Sequence, residues 1–189
     1  MFPAIFLDRD GVLIENKTDY VRNWSQVNIF PEAIRSLSRL KTYKIVIVTN
    51  QSAVGRGLIS LDTANDINHR LLHLIHLQGG RVDGVYLCPH KPDDDCVCRK
   101  PKPGLLLQAA AELTLDLSRS WMIGDAWSDV KAGQAAGVRQ SILLRTGRGR
   151  EQLLLPPPET AIQTLIFDDL SQAIDAIFAF DQPAVDAPT

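Results

Sequence analysis

Ala4-Ile5-Phe6-Leu7-Asp8-Arg9-Asp10-Gly11 decides how the rest of this chain is read. Four consecutive apolar residues make a run of strand length with no polar alternation, the pattern of a strand covered on both faces. The run ends on two carboxylates. Side chains two apart on an extended segment share one side, so Asp8 and Asp10 face the same mouth, and Gly11 lets the backbone turn away. Paired carboxylates in that position suit a divalent cation and an acyl-phosphate intermediate. The tetrapeptide alone also fits an ordinary strand-to-loop transition with a charged tip.

Further apolar runs fall at Lys44 to Thr49, Gly84 to Cys88, Trp121 to Gly124 and Gln140 to Leu144. Helical patterns lie between them: from Pro31 or Glu32 to Leu40, from Leu61 to Leu77 behind Ser60 as N-cap, from Gly104 to Leu115 after Pro103, and from Ser128 to Ala136 before Gly137. Parallel strands need crossovers, usually helical, so the alternation predicts a single Rossmann-like α/β domain with a mainly parallel sheet and helices on both faces. Ligands of such sheets sit beyond the carboxyl ends of the strands. Asp8, Thr49, Cys88 and Asp125 fall there. Arg145-Thr146-Gly147-Arg148-Gly149-Arg150 and Pro156-Pro157-Pro158 read as a surface connection. A strand over Gln163 to Phe167 and a helix over Leu170 to Phe180 close the domain at residue 180, and 181–189 reads as a disordered tail.

The length of 189 residues and a 45% hydrophobic content suit one domain and leave no room for a second large one. Twenty basic against 22 acidic residues give a net charge of -2, so no global field draws the chain to nucleic acid or membrane. Phosphate binding must then be local. Met1-Phe2-Pro3-Ala4 carries no basic leader, and no apolar run approaches the roughly 18 residues of a membrane span. A cytoplasmic monomer is expected. The three cysteines, Cys88, Cys96 and Cys98, crowd together, which favours metal binding in a reducing compartment over disulfides.

Three more polar clusters follow apolar strands or open helices. Thr49-Asn50-Gln51-Ser52 ends the second run, where a hydroxyl and backbone N–H groups can hold phosphate oxygens; a polar turn reads equally well for Thr49 alone. Arg99-Lys100-Pro101 precedes the third helical pattern; lysine is a point charge for phosphate and arginine a two-armed one. Gly124-Asp125-Ala126-Trp127-Ser128-Asp129 places acids after the fourth run, although Asp129 also suits an early helix position favoured by the macrodipole.

In this order the four clusters resemble the haloacid dehalogenase (HAD) superfamily of phosphatases. The longer run Thr49-Asn50-Gln51-Ser52 with Arg56 and Gly57 resembles its sugar and histidinol phosphatase branch. The resemblance implies Asp8 as nucleophile, Asp10 as acid and base, Thr49 on the phosphoryl group and Lys100 as its counter-charge. It also implies magnesium on Asp8, the Asp10 backbone carbonyl and Asp125, with Asp129 in support, and substrate contacts from Asn50, Gln51, Ser52, Arg56, Arg99 and Tyr20. The loop from Glu15 to Trp24 then closes over an open site without a large cap domain. Family members often carry Asn soon after the Asp-Gly turn; here Val12-Leu13-Ile14-Glu15 intervene, and Asn16 is the residue available to compensate.

Cys88-Pro89-His90 and Cys96-Val97-Cys98 offer three thiolates and an imidazole, the donor set of a closed structural zinc site. A loop with buried thiols is the plainer reading. Cys-Pro-His, a spacer and Cys-x-Cys-Arg-Lys-Pro resembles the heptose bisphosphate and histidinol-phosphate phosphatases, which implies that zinc shapes the loop carrying Arg99 and Lys100. His69, His73 and His76 lie off the apolar face of their helix and receive no role. The resemblance implies a magnesium-dependent hydrolase acting on a small phosphorylated metabolite. A heptose 1,7-bisphosphate is the leading substrate and histidinol phosphate the alternative. A polynucleotide 3′-phosphatase fits less well without a basic stripe, and a zinc-stabilised binding module without catalysis would need a damaged acid pair or lysine.

Overall fold

The computed structural model describes residues 1–159 and 163–181. Six strands, β1 Ala4–Leu7, β2 Lys44–Asn50, β3 Gly84–Cys88, β4 Trp121–Gly124, β5 Gln140–Leu144 and β6 Leu165–Phe167, form one parallel sheet in the order β3-β2-β1-β4-β5-β6. The helices are α1 Pro31–Ser36, α2 Ser52–Gly55, α3 Leu61–Leu77, α4 Gly104–Leu113, α5 Trp127–Ala136, α6 Gly149–Gln152 and α7 Leu170–Asp181.

Period-two alternation sorts the strand residues between two cores. Ile5, Leu7, Ile45, Ile47 and Ile123 pack against α1, α3 and α7, while Ala4, Phe6, Val46, Val48 and Met122 pack against α4 and α5. Both faces are thus apolar, which is why the strands read as unbroken apolar runs. The chain winds from β1 to β2 and β3 on one side, then crosses to β4 on the other. That reversal makes the gap between β1 and β4 the crevice where ligands of open α/β sheets bind. In register, Leu7 lies opposite both Ile47 and Ile123, so Asp8 emerges one step later at the crevice mouth.

Six expected boundaries move, two of them by one residue: β2 runs on to Asn50, one past Thr49, and α5 opens at Trp127, one before Ser128. The first helix stops being α-helical at Ser36 and finishes as a 3₁₀ turn over Leu37–Arg39. The helix expected to reach Leu115 ends at Leu113, because Thr114 takes a left-handed conformation (φ 55) that frees Leu115 to enter the core. The last strand is Leu165–Phe167, shorter than expected, and Gln163 lies in a turn before it. Asp181 belongs to α7 and not to a tail: Tyr43 and Arg139 both donate hydrogen bonds to it, the latter at 3.1 Å, and the neighbouring Phe180 ring packs 5.6 Å from Trp121. The remainder of the expected tail, 182–189, lies outside the described residues. Among the described residues no helix is long and apolar enough to cross a membrane, and no element stands apart from the three layers as a cap.

Candidate active site

Three strand tips and one loop converge on Asp8. Lys100, 2% exposed, reaches in from the loop before α4 and touches Asp8 Oδ1 at 3.0 Å and Asp129 Oδ1 at 2.6 Å, while its Nζ also donates to the Val48 carbonyl at 2.8 Å. Asp129, in the first turn of α5, accepts from the Ala126 N–H at 3.0 Å through its other oxygen and so closes its own helix start. Burial pushes the Asp8 carboxyl up to about 7; Lys100 opposes the rise, and Asp129, Asp125 and Asp10 add to it. Burial works against the Lys100 ammonium, yet Asp129 and Asp8 hold its pKa above the ordinary lysine value.

Asp10 is held from two sides. Gln51 Nε2 donates to its Oδ2 at 2.8 Å and also to Thr49 Oγ1 at 2.8 Å, linking the tips of β1 and β2. The Arg9 guanidinium grips the same carboxylate, Nε to Oδ2 at 3.1 Å and Nη2 to Oδ1 at 3.2 Å.

Asp125, fully buried, carries the charge of the fourth strand tip. Its Oδ2 accepts from Asn16 Nδ2 and, at 2.8 Å, from the Arg148 N–H, while its Oδ1 has no hydrogen-bond partner among the described residues. Burial and then Asp129 push its carboxyl up to about 6, against the pull of Arg148. Carboxylate oxygens of Asp8, Asp125 and Asp129 all lie within 4.8 Å of one another. An orphaned buried oxygen and carboxyls that resist ionising both signal a missing positive charge. The donor set, oxygen only, fits a hard divalent cation such as magnesium.

The zinc-type ligands also come together. Cys88 Sγ lies 3.5 Å from His90 Nδ1, 3.6 Å from Cys96 Sγ and 3.2 Å from Cys98 Sγ, and Cys98 Sγ lies 3.3 Å from His90 Nδ1. Thiolates on one tetrahedral zinc stand about 3.8 Å apart, given Zn–S distances of about 2.3 Å, so the four donors fit that ion with small adjustment. The cluster is wired to the site: Arg99 Nη1 donates to the His90 carbonyl at 3.1 Å, and the Gly55 N–H of α2 donates to the Pro89 carbonyl at 2.8 Å.

A cavity of about 670 Å³ opens above these groups, walled by Asp8, Asp10, Lys100 and Asp129 and rimmed by Tyr20, Asn50, Gln51, Ser52 and Arg99. Thr49 lies buried beneath it, bonded to Gln51. Tyr20 holds a left-handed conformation at φ 66, uncommon for a bulky residue. Arg56 caps α2, is exposed, and is absent from the cavity wall. Lys17, Ser128, Arg148 and Glu151 also line the cavity, without having been singled out from sequence. Gly147-Arg148 follows β5, and the only sequence sign of its role is two basic residues interleaved with glycine at another strand end.

Sheet order, acid cluster and buried lysine together define a HAD-type hydrolase, and the HAD-hydrolase-like family model matches residues 97–173. The D-glycero-beta-D-manno-heptose-1,7-bisphosphate 7-phosphatase of Pseudomonas aeruginosa is 39% identical over 175 residues, covering 92% of this chain and 96% of that one. The enzyme of the same name from Haemophilus influenzae is 40% identical over 159 residues, covering 78% and 84%. A crystal structure of the D,D-heptose 1,7-bisphosphate phosphatase from B. bronchiseptica, complexed with magnesium and phosphate, superposes with a TM-score of 0.87 at 32% identity, covering 95% of this chain and 99% of that one. The corresponding phosphatase from Burkholderia thailandensis gives a TM-score of 0.67 at 29% identity, covering 93% and 98%. This chain belongs to the heptose-1,7-bisphosphate 7-phosphatase family of the HAD superfamily.

Proposed function

We propose that this chain is a magnesium-dependent phosphomonoester hydrolase that removes the C7 phosphate from D-glycero-D-manno-heptose 1,7-bisphosphate. The observation carrying this reading is the meeting of Asp8, Asp125, Asp129 and Lys100 in one buried cluster, in a chain whose relatives bear that substrate in their names. Magnesium on Asp8, Asp125 and the Asp10 backbone carbonyl would neutralise phosphoryl oxygens and align the ester. Lys100 adds a second positive charge against the same oxygens, and Thr49 a hydroxyl donor.

An Asp8 carboxylate oxygen attacks phosphorus, and the bond to the sugar oxygen breaks with its electron pair leaving on that oxygen. The oxygen takes a proton from the Asp10 carboxyl and departs as an alcohol. Water then attacks the aspartyl-phosphate while the Asp10 carboxylate takes its proton; the bond to Asp8 breaks, releasing phosphate and restoring both acids. Asp129 holds Lys100 between itself and Asp8. Arg99, Tyr20, Asn50, Gln51 and Ser52 line the path to the sugar and its second phosphate, and the exposed Arg56 meets the substrate from outside the cavity wall. Cys88, His90, Cys96 and Cys98 would hold a zinc ion that keeps the Arg99–Lys100 loop in shape. The chain acts as one domain and as a monomer, in the reducing cytoplasm that suits three cysteines held outside any disulfide.

Purified protein with magnesium should be assayed on heptose bisphosphate, histidinol phosphate and a 3′-phosphorylated oligonucleotide. Highest kcat/KM on the bisphosphate, with one phosphate released per molecule, is the expected result. A preference for histidinol phosphate, or equally feeble rates on all three, would overturn the substrate assignment.

A further inference from the structure

Arg9 separates the two acids in sequence, yet its side chain is 1% exposed and absent from the cavity wall. A guanidinium is expensive to remove from water unless its donors are met. Here they are met asymmetrically. Nε and Nη2 form a fork on Asp10, at 3.1 and 3.2 Å, and Nη1 reaches back to Asn68 Oδ1 at 2.9 Å. Asn68 is 4% exposed and lies on the core-facing side of the 17-residue helix α3, among Ala64, Ile67 and Leu71. At its other end, the Arg9 backbone N–H donates to Asp8 Oδ1 at 2.7 Å, and its carbonyl accepts from the Leu13 N–H at 2.9 Å and the Ile14 N–H at 3.2 Å. One residue therefore touches both acids, and its far end is anchored on a helix that contributes nothing else to them.

We infer that Arg9 and Asn68 are positioning residues for proton transfer: α3, through Asn68 and the Arg9 fork, fixes the Asp10 carboxylate in the plane from which it serves the leaving oxygen and the attacking water. This rests on the phosphatase reading above. Fork-shaped, planar recognition matters because lysine in the same place would supply charge without orientation. Gln51 holds only Oδ2, so without the fork the carboxylate is free to rotate about that single contact. Neither Arg9 nor Asn68 meets the substrate, so the effect must pass through Asp10.

The leaving group separates this role from a merely structural one. An alkyl alkoxide cannot depart without the proton from Asp10, whereas 4-nitrophenolate can, so only the alkyl ester needs an aligned acid in the first step. Asn68→Ala, Asn68→Leu and Arg9→Lys should be compared with wild type on glycerol phosphate and 4-nitrophenyl phosphate, with thermal melts as a fold control. On the alkyl ester kcat should fall about tenfold or more, part of the 10²- to 10⁴-fold that general acid–base catalysis supplies, with KM nearly unchanged. With enzyme in excess, nitrophenolate release in the first turnover should keep its wild-type rate. If first-turnover nitrophenolate release slows as much as alkyl turnover, or alkyl turnover is unaffected, the inference is overturned. Should Arg9→Lys not fold, the two Asn68 variants decide the matter. Should wild type act on neither ester, heptose bisphosphate serves as the alkyl ester and the fall in its kcat decides; wild-type protein that hydrolyses none of the three would instead remove the phosphatase reading itself.

Discussion

Asn50 grips the backbone of Lys100 at both ends: its Nδ2 donates to the Lys100 carbonyl at 3.0 Å, and its Oδ1 accepts from the Lys100 N–H at 3.1 Å. The tip of β2 thereby fixes a residue fifty positions away, so the ammonium reaches Asp8 and Asp129 from a defined direction. A buried lysine needs this kind of restraint, because its four-carbon stem otherwise loses rotamer freedom without a fixed target.

Asn50→Ala removes both contacts and leaves the Lys100 amide unpaired. Stability should drop by about 1–3 kcal/mol, the cost of unsatisfied buried polar groups. Activity should fall further than stability alone accounts for, because Lys100 loses its aim. Urea unfolding set beside kcat/KM on the same preparation tests this; a variant with full activity and lowered stability would assign Asn50 to folding only.

Asp8→Asn should abolish turnover, by about 10⁴-fold or more as for the loss of a covalent nucleophile. The fold should survive, since the amide has nearly the same shape and Lys100 keeps Asp129 at 2.6 Å as its ion partner. Phosphate release and a thermal melt measure the two halves. Turnover near the wild-type rate would end the assignment of Asp8.

In metal-free protein Asp8 rises to about 7 and Asp125 to about 6. The folded chain then holds these protons more tightly than the unfolded chain, whose carboxyls titrate near about 4. Stability linked to them is fully present below that value and is lost as pH climbs through 6 and 7. Magnesium supplies the charge that the protons supplied at low pH, so its stabilising effect should grow over the same window. Melting temperatures with and without magnesium, at pH 5 and pH 8, should show the larger gain at pH 8. An equal gain at both would place the cation elsewhere.

The sequence made the sheet legible because parallel strands covered on both faces leave long apolar runs, and the acids stand immediately after them. Trp121–Gly124 and Leu61–Leu77 were readable to the residue for that reason, the second helped by Ser60, whose Oγ accepts from the Thr63 N–H at 3.0 Å. What hid was long-range pairing. Nothing local ties Arg9 to Asn68 or Asn16 to Asp125, and Gly147-Arg148 read as a surface connection although its backbone closes over Asp125. The left-handed Thr114 was invisible too, since only glycine or asparagine there would have signalled a helix stop.

Cys96→Ala should release zinc and lower the melting temperature, because closed zinc sites add folding energy directly. In its metal-free form the cluster is already under electrostatic pressure, with burial pushing the Cys88 thiol up to about 12. Activity should fall with the fold of the Arg99–Lys100 loop, so KM should rise at least as much as kcat drops. Metal content by mass spectrometry, together with a melt, checks the cause. Full zinc content and full thermal stability would remove the structural role.

Gly147 offers the sharpest test of the cation site, because its geometry separates backbone cost from site damage. It sits at φ 54, and an added Cβ would overlap Asp125 Oδ2 and lie 2.5 Å from Gly11 Cα and 2.7 Å from Asn16 Nδ2. Thr146 Oγ1 donates to the Gly11 carbonyl at 2.6 Å, so the two loops cannot simply part. Gly137, at the end of α5, has φ 80 but nothing within 4 Å of its would-be Cβ. Alanine at either position pays the left-handed penalty of about 1–2 kcal/mol, so both variants should melt lower than wild type. Only Gly147→Ala should also displace Asp125, and only that variant should need more magnesium for half-maximal rate, by about tenfold for each 1.4 kcal/mol of cation binding lost. Gly137→Ala should keep the wild-type magnesium requirement. A magnesium titration of activity on all three proteins decides it: parallel curves would mean that Asp125 does not hold the cation.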